Sequence, residues 1–242
     1  MLLVSPEFKC SNEVLSIAAM LSGEFRSPLV YEGYWLVQVP NVWLRPPNQR
    51  READAAKALL SVPDGDHLTL LNVYNNYIQS MSSPLFHLFY LTARLDAHIK
   101  SWTWDNYLSA RALSQAENVR TQLLRTMERN DLDILSIDDE RRLYDGIKQA
   151  LICGFFIQVV HKGGEKGSYV TAKDNQVWRA VQLWIRNRLW PEKLLNRSLH
   201  CIRLAVLTHN RNGICFNEFA FTTNYYIRTV TAIKPQWWVQ KS

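Results

Sequence analysis

Two stretches near the end of the chain interleave basic, aromatic and hydroxyl side chains. His161, Lys162, Lys166, Tyr169 and Lys173 form the first, and Thr222, Thr223, Tyr226 and Arg228 form the second. Lys and Arg can neutralise phosphates and aromatic faces can stack on bases. A small β-barrel carrying such a set is therefore a route to single-stranded nucleic acid, although a solvated strand face has the same composition. The net charge of +6 and a pI near 9.2 point the same way, towards an anionic partner.

Other reactive residue types are spaced wrongly for catalysis. "GGEKGS" at 163–168 has some letters of a phosphate loop, but not the order that places backbone amides and Lys around a phosphate. "DGDH" at 64–67 lacks the regular oxygen ligands of a calcium loop and reads as a turn with Asp66 as a helix N-cap. His200, Cys201, His209 and Cys215 are soft ligands without the short paired knuckle of a zinc site. No acidic box that could hold magnesium occurs in the chain.

The elements that must position these residues fall into two blocks. "SNEVLSIAAMLS" places Val14, Ile17, Ala18 and Leu21 on one helical face, and Leu71, Tyr74 and Ile78 repeat that period. Ser114 and Glu117 have the spacing of a capping box ahead of Val119, Leu123 and Met127. "DDERRLYDGIKQALICG" reads as a further capped helix ending at Gly154, with Leu143, Ile147 and Leu151 inward. After Gly154 the period shortens. "FFIQVVHKGGEKGSYVTAKDNQ" reads as a β-hairpin, and "FNEFAFTT" and "YYIRTVTAI" as two more strands. The expectation is an α+β chain, with a helical domain over 1–135 and a small barrel domain over 136–242. The 242 residues, 47% hydrophobic and 21% charged, suit such a soluble globular make-up. The four well-separated Cys and the early Pro, Glu and Lys of "MLLVSPEFKCSN" suggest a reduced, intracellular chain without a secretory leader or membrane span.

Six segments carry a family resemblance: "SPEFKCSNEVLSIAAMLS", "PDGDHLTLLNVYNNY", "WTWDNYLSARALSQAENVRTQL", "GIKQALICGFFIQVVHK", "SYVTAKDNQV" and "TTNYYIRTVTAIKPQW". Together, and in order, they resemble the C-terminal part of DEAH-box RNA helicases of the splicing and ribosome-biogenesis subgroup. The resemblance implies a ratchet-like helicase-associated domain followed by an OB-fold. It implies single-stranded RNA and G-patch activator proteins as partners, upstream motor domains that bind ATP and magnesium, and a nuclear location. The ATP-binding loop and the DEAH box belong to those motor domains and are not in this chain, which is expected to hold no cofactor and to be inactive alone. The family's ratchet motif falls on Trp104, Asp105, Asn106, Tyr107, Leu108 and Arg111, with Arg111 reaching RNA, a neighbouring domain or a structural salt bridge. In the barrel the matching positions include Gln158, His161, Tyr169, Thr171, Lys173, Asn175, Thr223, Tyr226 and Arg228, with Lys173 and Arg228 as phosphate contacts.

Three stretches interrupt the resemblance, at 23–38, 80–101 and 178–213. Excising the first joins Ser22 to Val39 as "AMLSVPNVWLRPP", which reads as uninterrupted family sequence. Their codons are compatible with translated introns; lineage-specific binding inserts are the rival reading, and the rival functions are a stand-alone G-patch-protein or RNA interaction module or a non-functional gene-model fragment. The first two cost little as loops. The third replaces a barrel strand and is expected to leave a disrupted, open-edged barrel. An amphipathic helix is expected in its place, with Val177, Val181, Trp184, Ile185 and Leu189 on one face.

Overall fold

The computed structural model describes residues 1–22, 30–31, 34–35, 42–81, 95–162, 168–171, 177–180, 213–221, 225–234 and 236–237. Its helices are α1 (Ser11–Ser22), α2 (Arg50–Leu60), α3 (Asp66–Met81), α4 (Leu95–Asp105), α5 (Ala110–Arg129) and α6 (Glu140–Gly154). Its strands are β1 (Val30–Tyr31), β2 (Tyr34–Trp35), β3 (Val159–Lys162), β4 (Ser168–Thr171), β5 (Val177–Ala180), β6 (Gly213–Phe221) and β7 (Tyr225–Ile233). The class is α+β, and apart from the β1–β2 ribbon the helices precede the strands, as the change of period at Gly154 requires. Two compact units result: residues 15–61 with 69–132, and residues 1–14, 62–68 and 133–242.

The first unit is helical. Met20, Val42, Val73, Tyr74, Tyr77, Leu108, Leu113 and Ala116 form its core. α5 supplies Ala112, Leu113, Ala116 and Met127 from one face, the arrangement that a 3.6-residue period gives. Its start differs from the sequence expectation. The cap is Ser109, whose hydroxyl accepts from the Ala112 amide; Ser114 already lies in the second turn, exposed. Ser109 offers the same hydroxyl chemistry five residues earlier, and Ala110 to Leu113 are strong helix formers that extend the helix back to it. The backbone there is also anchored: Ser109 N–H donates to Val42 O at 2.8 Å and Leu108 N–H to Thr103 O at 2.8 Å.

The second unit holds α6 and the barrel. Asp139 caps α6 by accepting from the amides of Arg141 and Arg142, and Ile147 and Leu151 are fully buried. The helix stops at Gly154, where a Cβ would lie 2.6 Å from that of Met1. β3 and β4 pair antiparallel as the expected hairpin, and β6 and β7 pair antiparallel in one unbroken register from Gly213↔Ile233 to Phe221↔Tyr225. Val160, Tyr169, Ile214, Phe216, Ile227 and Val230 fill the interior.

The ring of strands runs β3-β4-β5-β7-β6 and closes through β3–β6. The open edge expected from the replacement at 178–213 is therefore not found. Val177–Ala180 supplies the fifth strand, antiparallel to β4 and parallel to β7. The expected amphipathic helix is corrected at its first four residues, which are strand. Pairing on both sides satisfies their backbone, and Val and Trp suit a pleated surface. The rest of that helix lies outside the described residues. The other two interruptions also carry regular structure: the β1–β2 ribbon in the first, and the end of α3 with the opening turns of α4 in the second.

Candidate nucleic-acid interface

The barrel candidates separate by burial. Tyr169 on β4 is 2% exposed and belongs to the core; its ring is not on the surface, and burial pushes its hydroxyl pKa up. That placement removes it as a base-stacking contact, because the same ring cannot fill the barrel and cover a base. His161 lies on β3 opposite Val170 and is half-buried. Lys173 and Thr223 lie outside the described residues.

Arg228 sits on β7 directly across from Glu218 on β6. Burial lowers the Arg228 pKa and Glu218 counters it; burial raises the Glu218 pKa and Arg228 counters that. In both groups the loss of water is the larger effect, so each charge is held by an opposite neighbour in a partly dry setting. Nη1 of Arg228 and Oε2 of Glu218 are shielded from water and have no hydrogen-bond partner. An incoming phosphate oxygen would meet a donor already stripped of water, beside a carboxylate that opposes it.

The backbone that carries Arg228 is fixed by the 64–67 segment. Asp64 O accepts from Ala232 N–H at 3.1 Å, and Gly65 forms a β-bridge with Thr231. The Asp66 carboxylate accepts from Val230 N–H at 2.9 Å. His67 N–H donates to Thr231 Oγ1 at 3.3 Å, and its Nδ1 lies 2.7 Å from the same oxygen. Lys148 Nζ donates to Asp64 Oδ2 at 2.8 Å. Asp66 is the first residue of α3, and one oxygen of its carboxylate ties "DGDH" to β7. Gly65 is required here, since a Cβ would lie 2.6 Å from Thr231 Cα. Beside this clamp Thr229 adopts φ 53°, a left-handed conformation unfavourable for a β-branched residue. His67 is fully buried against Phe155, with ring centroids 5.9 Å apart, and burial lowers its pKa to about 4.

Arg111, by contrast, is exposed in the first turn of α5, and among the described residues no hydrogen bond or ion pair engages it. The structural salt bridge is thus not formed there. That turn carries no acidic residue, so a cation stands at the positive end of the helix dipole, where an anion is the favoured partner. Within the ratchet motif, Leu108 is buried, Tyr107 has φ 54°, and Trp104 is 68% exposed.

Alternative chemistries find little support. Cys10 and Cys215 are buried, and desolvation pushes both thiols up to about 12, which suppresses the nucleophilic thiolate. His200, Cys201 and His209 lie outside the described residues. Among the described residues, no cluster of three His, Cys, Asp or Glu is placed to hold a metal. No described helix is long and apolar enough to cross a membrane.

Residues 1–70 match the ratchet-like helicase-associated domain (HA2), and residues 147–241 match the oligonucleotide/oligosaccharide-binding (OB)-fold. The chain is also 29% identical over 239 residues to the pre-mRNA-splicing factor ATP-dependent RNA helicase prp22 of Schizosaccharomyces pombe. Together the two matches and this relative support a likeness to the C-terminal region of a DEAH-box RNA helicase. The alignment covers 99% of the chain and 16% of that relative. His161, Tyr169, Lys173, Thr223 and Arg228 all fall in the OB-fold match, whereas Arg111 falls between the two matches. Sequence reasoning missed the clamp on β7.

Proposed function

We propose that this chain grips single-stranded RNA as the C-terminal part of an ATP-driven DEAH-box helicase. The observation that carries this reading is one chain holding both a ratchet-like helicase-associated match and a closed five-stranded barrel within an OB-fold match. Arg111, His161, Lys173, Thr223 and Arg228 are the proposed RNA contacts, with Lys173 and Arg228 on phosphates. Tyr169 supports them from the core. G-patch activator proteins are the proposed docking partners. ATP and magnesium would bind motor domains, so the chain alone should not hydrolyse ATP. The similarity to a splicing helicase supports a nuclear role in splicing, and the resemblance of the segments supports one in ribosome biogenesis.

The test is RNA binding by the purified chain across a salt series. Lys173→Gln with Arg228→Gln should weaken binding and reduce the salt slope by about 1.4, at roughly 0.7 per lost phosphate contact on a single strand. An unchanged slope rejects those two contacts.

A further inference from the structure

Residues 130–139, between α5 and α6, are neither helix nor strand. From Asp133 to Glu140 the chain carries four acids and no base, in a protein of net charge +6. Ser136 stands exposed within that strip, with Asp133 before it and Asp138, Asp139 and Glu140 after it. An exposed charged turn is ordinary; the carboxylate that meets this one is not. Ser136 Oγ donates to Glu13 Oε1 at 2.5 Å, across 123 residues of chain. Glu13 lies in the first turn of α1 and is only 8% exposed, and its Oε2 is shielded from water with no hydrogen-bond partner. Asn12 Nδ2 also donates to Oε1, at 3.4 Å, and Asn12 N–H donates to Leu135 O at 3.2 Å. One backbone bond and the Ser136 hydroxyl therefore tie the strip to the start of α1, within the second unit.

We infer that Ser136 is a phosphorylation site for an acid-directed serine kinase, and that the phosphate frees this strip from α1. Such a kinase selects its acceptor by charge pattern, reading carboxylates beside the hydroxyl with a basic cleft. Ser136 offers an exposed hydroxyl on irregular backbone with acids on both sides. In the transfer, the γ-phosphoryl group of a nucleoside triphosphate leaves its diphosphate and bonds to Ser136 Oγ. The hydroxyl proton passes to a base of the kinase, and the nucleoside diphosphate departs. The phosphoserine then carries about −1.5 to −2 charge near pH 7. It has no proton to donate to Glu13, and it faces a carboxylate already stripped of water. Glu13 also occupies the place that an anion would take at this helix start, and the Asn12 amide is engaged by Leu135. Arg142, the basic partner of the strip, is paired with Asp139 at 3.5 Å. Repulsion therefore opens the contact rather than building a new one. The site is independent of the RNA-gripping reading.

The experiment treats the full folded chain with ATP, magnesium and an acid-directed serine kinase, and places the phosphate by tandem mass spectrometry. Phosphate is expected on Ser136 and lost in S136A. D138N/D139N should be modified about tenfold more slowly, with the α6 cap kept because Asn caps as well as Asp. If the folded chain takes no phosphate on Ser136 while a control substrate does, or if D138N/D139N is modified at the wild-type rate, the assignment is overturned. Amide hydrogen exchange reads the release. Phosphorylation should speed exchange at Asn12 by about tenfold in the wild type, and by less in E13Q, which keeps the acceptor oxygen without the charge. Unchanged exchange at Asn12, or equal acceleration in E13Q, overturns the release.

Discussion

The outer face of α5 and the strand β7 both present arginine, and they hold it in opposite ways. Arg111, Arg125 and Arg129 stand in water on a helix whose other side is packed, without partners among the described residues. Arg228 stands half-buried, facing Glu218, on a strand clamped by residues 64–67. The helix can rearrange its cations to follow a flexible backbone at little cost in desolvation. The strand offers one rigid, partly dry donor whose position is set by contacts far away in sequence. On the RNA-gripping reading proposed above, Arg111 would give salt-dependent affinity and Arg228 would give register.

The largest way to break this contrast is to break the clamp. Gly65→Ala places a Cβ against Thr231 in a backbone conformation that side chains avoid. The expected loss is about 4 kcal/mol, from strain and overpacking together, confined to the barrel unit. Urea melts followed by a barrel probe and by a helical-unit probe check it; a shift in neither would show that the clamp is dispensable.

Next in size is acid. The His67 pKa falls from 6.5 to about 4 because burial disfavours the charged ring, with Asp66 opposing weakly. A depressed folded-state value means the contribution is intact above about pH 6.5 and is lost as pH falls towards 4. The loss should reach about 3 kcal/mol. Comparing melts of the wild type and His67→Gln from pH 7 to pH 4 isolates it from the carboxylates. Parallel pH curves for the two would contradict the assignment.

A smaller effect tests the Arg228 side directly. Glu218→Gln and Arg228→Gln alone should each destabilise the barrel, and the double variant less than their sum. The coupling should be about 1 kcal/mol, because both groups are only half-buried and water screens part of their attraction. Additive effects would mean that the pair does not act as a pair. The smallest effect belongs to the helix: Arg111→Gln should leave stability within about 0.5 kcal/mol while weakening RNA binding.

Local features were legible in the sequence. The Asp139 cap of α6, the β3–β4 hairpin and the two long final strands all follow from patterns local in the sequence. Where two local signals competed, the pattern misled: the Ser114–Glu117 spacing imitates a start that Ser109 provides, because the neighbouring backbone of Val42 and Thr103 fixes the earlier turn. Closure of the barrel through Val177–Ala180 was not legible. Those residues also read as the start of an amphipathic helix, and only pairing with β4 and β7 decides between the two. The clamp was hidden for the same reason, since His67 and Thr231 are 164 residues apart. Of the candidate site, the arginines were legible by type; their availability was not, because it depends on burial and partners that no spacing records. Tyr169 shows the limit most clearly, as an aromatic residue in a basic stretch that proves to be core.

The most direct test of the central claim is a salt titration of the wild-type chain against single-stranded and duplex RNA of equal length. The account predicts tighter binding to the single strand, with a log–log slope of affinity against salt of about −2 or steeper, from three or more phosphate contacts. Equal affinity for both RNAs, or binding that salt does not weaken, would contradict it.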